Sequence, residues 1–189
     1  MKKATVKLYS LTPTTFGKFH QAPKLEKELP DAYEQRTWKE KAHYTDDLFV
    51  KIPGTMIGNC IRESAKFLSL QIPGKGKSTY SKHFDAGIII YNDIKTEIHK
   101  NDLQGHIQHV PSDGTPGGTR RVLKVFPIVQ EWGGQIEILI GDDIITADVF
   151  EKVIKNAGSL IGIGTWRPRN RGMNGRFIVE DIKWNDDFK

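Results

Sequence analysis

Between Gly158 and Phe177 a long loop must interrupt the chain. The stretch reads Gly-Ser-Leu-Ile-Gly-Ile-Gly-Thr-Trp-Arg-Pro-Arg-Asn-Arg-Gly-Met-Asn-Gly-Arg-Phe, with five glycines, four arginines (Arg167, Arg169, Arg171, Arg176), one tryptophan and no acid. Glycine admits positive φ and close backbone approach and weakens regular elements. Arginine presents a planar fork of donors that matches phosphate oxygens, and an indole such as Trp166 stacks on a base or covers a guanidinium. The pattern points to a loop that holds a nucleic-acid backbone, with Gly162 and Gly164 at its apolar entry. The competing reading is a solvated basic loop whose glycines serve only its turns.

Elements on either side of this loop are legible from periodicity. Residues 4–10 alternate, with Val6 and Leu8 on one face, as in a half-buried strand. Residues 17–47 are polar and contain Pro23 and Pro30, which predicts a long loop with room for a short helix around 31–42. After Pro53-Gly54-Thr55, the residues Ile57, Cys60, Ile61, Ser64, Ala65 and Leu68 fall at helical spacing, with Thr55 as the expected cap. Strands are predicted over 87–94 and 121–129. Gly133-Gly134 is predicted as a turn before a strand through Ile136, Ile138 and Ile140. Thr146 caps a second helix with Val149, Phe150, Val153, Ile154 and Ala157 on its apolar face. Gly158 is its expected stop, and a last strand spans 176–184. Residues 95–119 are polar and end in a strong turn signal, Asp113 to Thr119.

The resulting order, with an extra inserted strand, is β-α-β-β-α-β. This is the ferredoxin-like, RRM-like plan of the α+β class, with two helices on one sheet face and the other face open. A length of 189 residues suits one domain. The net charge of +5 favours polyanionic partners. Six lysines against one acid in residues 1–27, and Lys75, Lys77 and Lys82 with no acid in residues 74–82, add two more basic stretches; the last dozen residues are acidic on balance. The single cysteine, Cys60, lies in an apolar pattern, which excludes an internal disulfide and reads as a core residue. No signal peptide or membrane-spanning run is visible, so a cytoplasmic protein with no membrane partner is expected.

Two segments resemble a known family. Ile52-Pro53-Gly54-Thr55-Met56-Ile57-Gly58-Asn59-Cys60-Ile61-Arg62 is similar to the I-P-G helix start of RAMP proteins, the group that includes backbone subunits of CRISPR effector complexes. Gly158 to Phe177 resembles the RAMP glycine-rich loop, in the expected order after a helix and before the last strand. Gly58 stands where the family often carries lysine, and Pro168 and Met173 depart from its loop pattern. The resemblance implies one RAMP-like domain that binds RNA along its phosphates without cleaving it. Copies would stack along a guide or single-stranded RNA as a homo-oligomer or ribonucleoprotein subunit in antiviral defence. It also implies a β-hairpin thumb, for which the segment from about 95 to 131 is the candidate. Single-stranded DNA as the ligand, or a virus-borne mimic that docks on another particle, are the alternatives, as is a metal-independent endoribonuclease.

The candidate nucleic-acid contacts are therefore Arg167, Arg169, Arg171, Arg176, Trp166, Gly162 and Gly164 in the loop. Lys18, His20, Arg62, Lys75, Lys77, Arg120 and Arg121 lie outside it. His20, after the first strand, is the weak candidate for a general base. Phe16, Phe19, Tyr80, Phe84 and Trp166 all lie near basic residues, and two or three of the five are expected to serve as stacking surfaces. No cofactor is implied: Walker A, dinucleotide and Gly-x-Ser-x-Gly patterns are missing. His106-x-x-His109 lacks the further ligands of a zinc site, so no metal is expected.

Overall fold

The computed structural model describes residues 1–112, 114–115 and 118–185. The sequence-predicted turn at Asp113, Pro116 and Gly117, and the acidic Asp186 and Asp187, lie outside the described residues. In chain order the elements are β1 (Lys2–Ser10), β2 (Thr14–Thr15), α1 (Pro30–Thr37), β3 (Phe49–Ile52), α2 (Gly54–Leu68), α3 (Ser81–Gly87), β4 (Ile88–Ile90), β5 (Ile94–His99), β6 (Gln104–Pro111), β7 (Arg121–Val129), β8 (Gly133–Ile140), α4 (Ala147–Asn156) and β9 (Phe177–Asn185).

The main sheet has the order β4-β8-β1-β9, antiparallel throughout. The first strand of the β-α-β-β-α-β core thus lies between its third and fourth strands. This is the ferredoxin-like arrangement. Alternation turns Ala4, Val6 and Leu8 of β1 inward beside Ile136, Ile138 and Ile140 of β8, all buried. Helices α2 and α4 cover that face. They meet through small polar residues: Cys60 Sγ–H donates to the Ala157 carbonyl at 3.2 Å and Ser64 Oγ–H to the Val153 carbonyl at 2.8 Å. The Cys60 thiol is buried and its pKa is pushed up to about 12, chiefly by burial. It is a core residue. On the opposite sheet face Lys3 pairs with Glu137 at 2.9 Å and Lys7 with Glu180 at 2.7 Å, so that face neutralises itself.

Several local expectations are corrected. Pro53, not Thr55, precedes the first turn of α2, and Thr55 is exposed; the Gly54 amide is capped from outside by Asp93 Oδ1 at 2.8 Å. Gly133 and Gly134 lie within β8, opposite Tyr9 and Leu8, rather than in a turn. The strand predicted over 87–94 is only Ile88–Ile90. Asn92 ends it by giving its side-chain amide to the Gln135 carbonyl and accepting from the Glu137 amide, and Ile94 opens a separate strand paired with β3. The polar region 95–119 contains β5 and β6.

Gly158 does not stop α4. The chain runs on through a wide π turn, Ala157–Ile161, and leaves the helical path at Gly162. Gly158 is required for close approach instead, since a Cβ there would lie 2.1 Å from the Phe177 carbonyl oxygen of β9.

β6 and β7 form an antiparallel hairpin in register from Gln104↔Ile128 to Pro111↔Arg121. β2 joins β7 at its root through Thr14↔Val129 and Thr15↔Ile128. Beyond those two residues the outer edge of β7 has side chains in place of a strand. Glu34 of α1 accepts from the Val125 amide at 2.8 Å, and Lys41 Nζ donates to the Val125 carbonyl at 3.1 Å. Glu34 also pairs with Lys41 and with Lys124 at 3.3 Å. Burial raises the Glu34 carboxyl pKa, but Lys41, the Val125 amide and Lys124 together outweigh it and hold the group below its ordinary value.

Candidate nucleic-acid interface

The glycine–arginine loop is tied down by its own backbone. Ile163 N–H donates to Gly175 O at 2.9 Å, Gly175 N–H to Pro13 O at 2.7 Å and Thr165 N–H to Thr15 O at 2.9 Å; Asn174 N–H returns to Trp166 O at 3.0 Å. Gly162 and Gly164 have φ of 73° and 77°, and Trp166 and Arg171 also adopt left-handed backbone, at 58° and 62°. Bulky residues rarely do so without a surrounding structure that fixes them. Gly175 cannot be replaced without a shift: its φ is 75°, and a Cβ would sit 1.9 Å from the Ile163 carbonyl oxygen.

This loop forms one wall of a groove of about 480 Å³. Phe16, Gly17, Lys18 and His43 form the second wall, and Met56 and Asn59 of α2 form the third. Phe16 is buried and packs its ring edge to face with His43 at 6.1 Å. Burial, then the charges of Lys18 and Lys51, hold the His43 imidazole below its ordinary pKa. Lys18 is exposed, and its ammonium forms no ion pair with a described residue.

The four arginines of the loop differ. Arg167 Nη1 pairs with Glu63 Oε2 at 2.7 Å, and Arg169 Nε with Glu63 Oε1 at 3.1 Å. The Arg169 guanidinium also lies 5.6 Å from the centre of the Phe67 ring. Arg176 donates to the carbonyls of Ser159 and Met173. Arg171 is exposed and pairs with no described carboxylate. The Trp166 ring packs its edge on Phe126 of the hairpin at 5.9 Å and remains 41% exposed.

The other residues singled out in the sequence scatter. Arg62 is an internal strut, its guanidinium donating to the carbonyls of Asp85 and Ile88. His20 lies stacked on Tyr33 at 6.0 Å, and its Nδ1 accepts from the Ala22 amide. Lys75 and Lys77 are exposed on the loop before α3, and Lys75 acts electrostatically on Asp142, near the far edge of the sheet. Arg120 and Arg121 stand at the outer end of the hairpin, where Arg121 donates to the His109 carbonyl at 3.0 Å. Five strand steps take Arg121 to Phe126, the hairpin residue that meets Trp166, a distance of about 17 Å along the strand. Phe16, Tyr80 and Phe84 are core residues, whereas Phe19 is 81% exposed.

Sequence reasoning missed His43, Asn59, Asn170 and Glu63. A signal existed for two of them. Met56, Asn59, Glu63 and Phe67 recur at three- and four-residue spacing along α2, a second stripe beside the apolar one, and it is this stripe that faces the loop. Among the described residues no three His, Cys, Asp or Glu side chains converge as a metal-binding set, and no helix is long and apolar enough to cross a membrane.

No family model and no curated protein matches the chain. Among solved structures, similarity is found to a Cas6 product complex, with 12% identity, a TM-score of 0.34, and coverage of 93% of this chain and 50% of the other. A chain of a CRISPR RNA-guided surveillance complex is similar at 6% identity and a TM-score of 0.38, with 94% and 67% covered. The protein thus spans half the length of the first and two thirds of the second. These figures describe a distant likeness, and no residue role is taken from it.

Proposed function

We propose that this chain is a RAMP-like RNA-binding protein that holds a single-stranded phosphate backbone in the groove between residues 16–18, α2 and the loop 162–176. One observation carries the reading. The unpaired cation Lys18 and the exposed Trp166 ring line a groove whose backbone is fixed by hydrogen bonds before any ligand arrives, and the unpaired, exposed Arg171 follows its lining residue Asn170 in the loop. Phosphates meet the cations and a base stacks on Trp166, which contributes on the order of 1–3 kcal/mol. The face of the main sheet opposite the helices is not needed for this reading, and its lysines Lys3 and Lys7 pair with Glu137 and Glu180.

The test is fluorescence anisotropy with labelled single-stranded RNA and DNA across a salt series. Two to four engaged phosphates predict a slope of log affinity against log salt of about −1.4 to −2.8. Affinity that barely changes between low and moderate salt defeats the reading. Under the same proposal the β6–β7 hairpin is the thumb, with Arg120 and Arg121 reaching a more distant stretch of RNA, and copies stack along one strand. Size exclusion before and after nuclease treatment tests this: nuclease should collapse any large species to single protomers.

Cleavage is the second reading, and it moves from His20 to His43. His20 is occupied by Tyr33 and Ala22, whereas His43 lines the groove with its proton held off, as a general base requires. Incubation of labelled RNA without metal, with His43→Ala as control, decides it. Products from the native chain and none from the variant establish cleavage; intact RNA from both leaves the binding function alone.

A further inference from the structure

We propose that Glu63 occupies the Arg167–Arg169 pair as an internal surrogate for a phosphate group, and that RNA enters this part of the groove by exchanging a backbone phosphate for that carboxylate. This rests on the RNA-binding reading above.

The geometry is that of a bridged anion site. The segment from Gly158 to Phe177 has no acid of its own, and Glu63 reaches it from α2. Each carboxylate oxygen takes one arginine, Oε2 at 2.7 Å from Arg167 Nη1 and Oε1 at 3.1 Å from Arg169 Nε. A phosphate offers the same pairing, two oxygens on one centre, each accepting from a guanidinium N–H.

The surroundings favour exchange. The Glu63 side chain is 31% exposed and, among the described residues, accepts from the two arginines and from no backbone N–H. Both arginines keep a second anchor once it leaves: Arg167 Nη1 lies 3.5 Å from the Gly162 carbonyl, and Arg169 rests over Phe67. The cation pair is therefore held in place with or without its carboxylate. Exposed ion pairs are each worth about 0.2–1 kcal/mol, an amount that a polyanion can readily displace.

The consequence is a groove whose full charge is masked until a phosphate of the right spacing arrives. Glu63→Gln keeps the side-chain length and removes the competing charge. It should tighten single-stranded RNA binding roughly 3- to 10-fold at low salt, the equivalent of the two displaced ion pairs. The salt slope should steepen by about 0.7. Glu63→Asp, which keeps the charge but withdraws it by one methylene, should fall between the two. Phenylglyoxal labelling read by mass spectrometry gives an independent measure: Arg167 and Arg169 should react faster in Glu63→Gln, and added RNA should protect both.

The native chain and its variants serve throughout, with thermal melts to verify folding. Native protein that binds RNA while Glu63→Gln binds equally or more weakly overturns the exchange and leaves the RNA reading standing. Failure of both proteins to bind overturns both. Binding by the variant alone supports the mask in its strongest form. Should Glu63→Gln fail to fold, RNA protection of Arg167 and Arg169 in the native chain supports the exchange, and unchanged labelling overturns it.

Discussion

At the root of the hairpin, Glu34 sits between Lys41 and Lys124; at the rim of the groove, Glu63 sits between Arg167 and Arg169. Both are single carboxylates bridging two cations. Glu34 is 4% exposed and also accepts the Val125 amide, so its loss leaves a strand N–H without its acceptor and the nearly buried Lys41 without its counter-charge. Glu63 touches side chains only and is partly in water. The difference teaches that a bridge becomes structural when it replaces water around buried groups, and remains exchangeable when water can replace it.

The sharpest way to break this comparison is to truncate each acid in turn. Glu34→Ala should destabilise the fold by about 3–5 kcal/mol, the range for removing one partner of a buried pair. For a chain of this size that is a fall of roughly 6–20 °C in Tm. Glu63→Ala, which removes two exposed pairs, should cost at most about 2 kcal/mol. Equal losses in a urea titration would erase the distinction between the two bridges. The acid limb adds a sign. The Glu34 carboxyl is held below its ordinary value of 4.5 in the fold, so its contribution is complete above that pH and is lost as pH falls through the lower folded value. The gap between native chain and Glu34→Ala should therefore be constant from pH 7 to about 5 and narrow below 4.

How much of this was legible in the sequence follows the same division. The apolar periods found β1, α2, α4 and β9 because burial on one face dictates alternation or helical spacing, and the strand order completed the ferredoxin-like core. Position 158 announced itself as glycine, yet its reason, contact with the Phe177 carbonyl, depends on a strand nineteen residues later. The short strands β3 and β5 were not legible, since Phe-Val-Lys-Ile and Ile-Lys-Thr-Glu-Ile-His are too short to set a period apart from the polar chain around them, and each is fixed by pairing with the other. Least visible were the pairings. Nothing local in Glu63 or Glu34 says that one meets two arginines a hundred residues away and the other caps a hairpin edge. Composition located the cationic loop, but which of its charges remain open is decided by tertiary neighbours.

Those open charges give the next measurement. Lys18→Ala and Arg171→Ala should each weaken RNA binding about fivefold near 0.1 M salt, each flattening the salt slope by about 0.7. Neither should shift Tm by more than a degree or two, since neither pairs in the free protein. Arg62→Ala should do the reverse, lowering stability while leaving the salt slope unchanged, because its guanidinium serves the carbonyls of Asp85 and Ile88. A steep binding loss in Arg62→Ala with stability intact would place the RNA on the wrong side of α2.

The smallest effect concerns His43. In the free protein burial and the neighbouring Lys18 and Lys51 keep its imidazole neutral to lower pH than usual, with Asp93 opposing in part. A phosphate in the groove would favour the imidazolium, so by linkage the protonated protein must bind RNA more tightly. Affinity should be level above pH 7 and rise as pH falls through and below the ordinary value of 6.5. The gain approaches about fivefold for one added charge contact. His43→Gln should hold the pH 8 affinity and lose the rise. Burial raises the Asp93 carboxyl pKa, but Lys51 and the Gly54 amide outweigh it and hold the group below its ordinary value, so a rise that begins as pH falls below 7 belongs to the imidazole, and a native profile flat from pH 8 to 5 would mean that the RNA path does not pass His43.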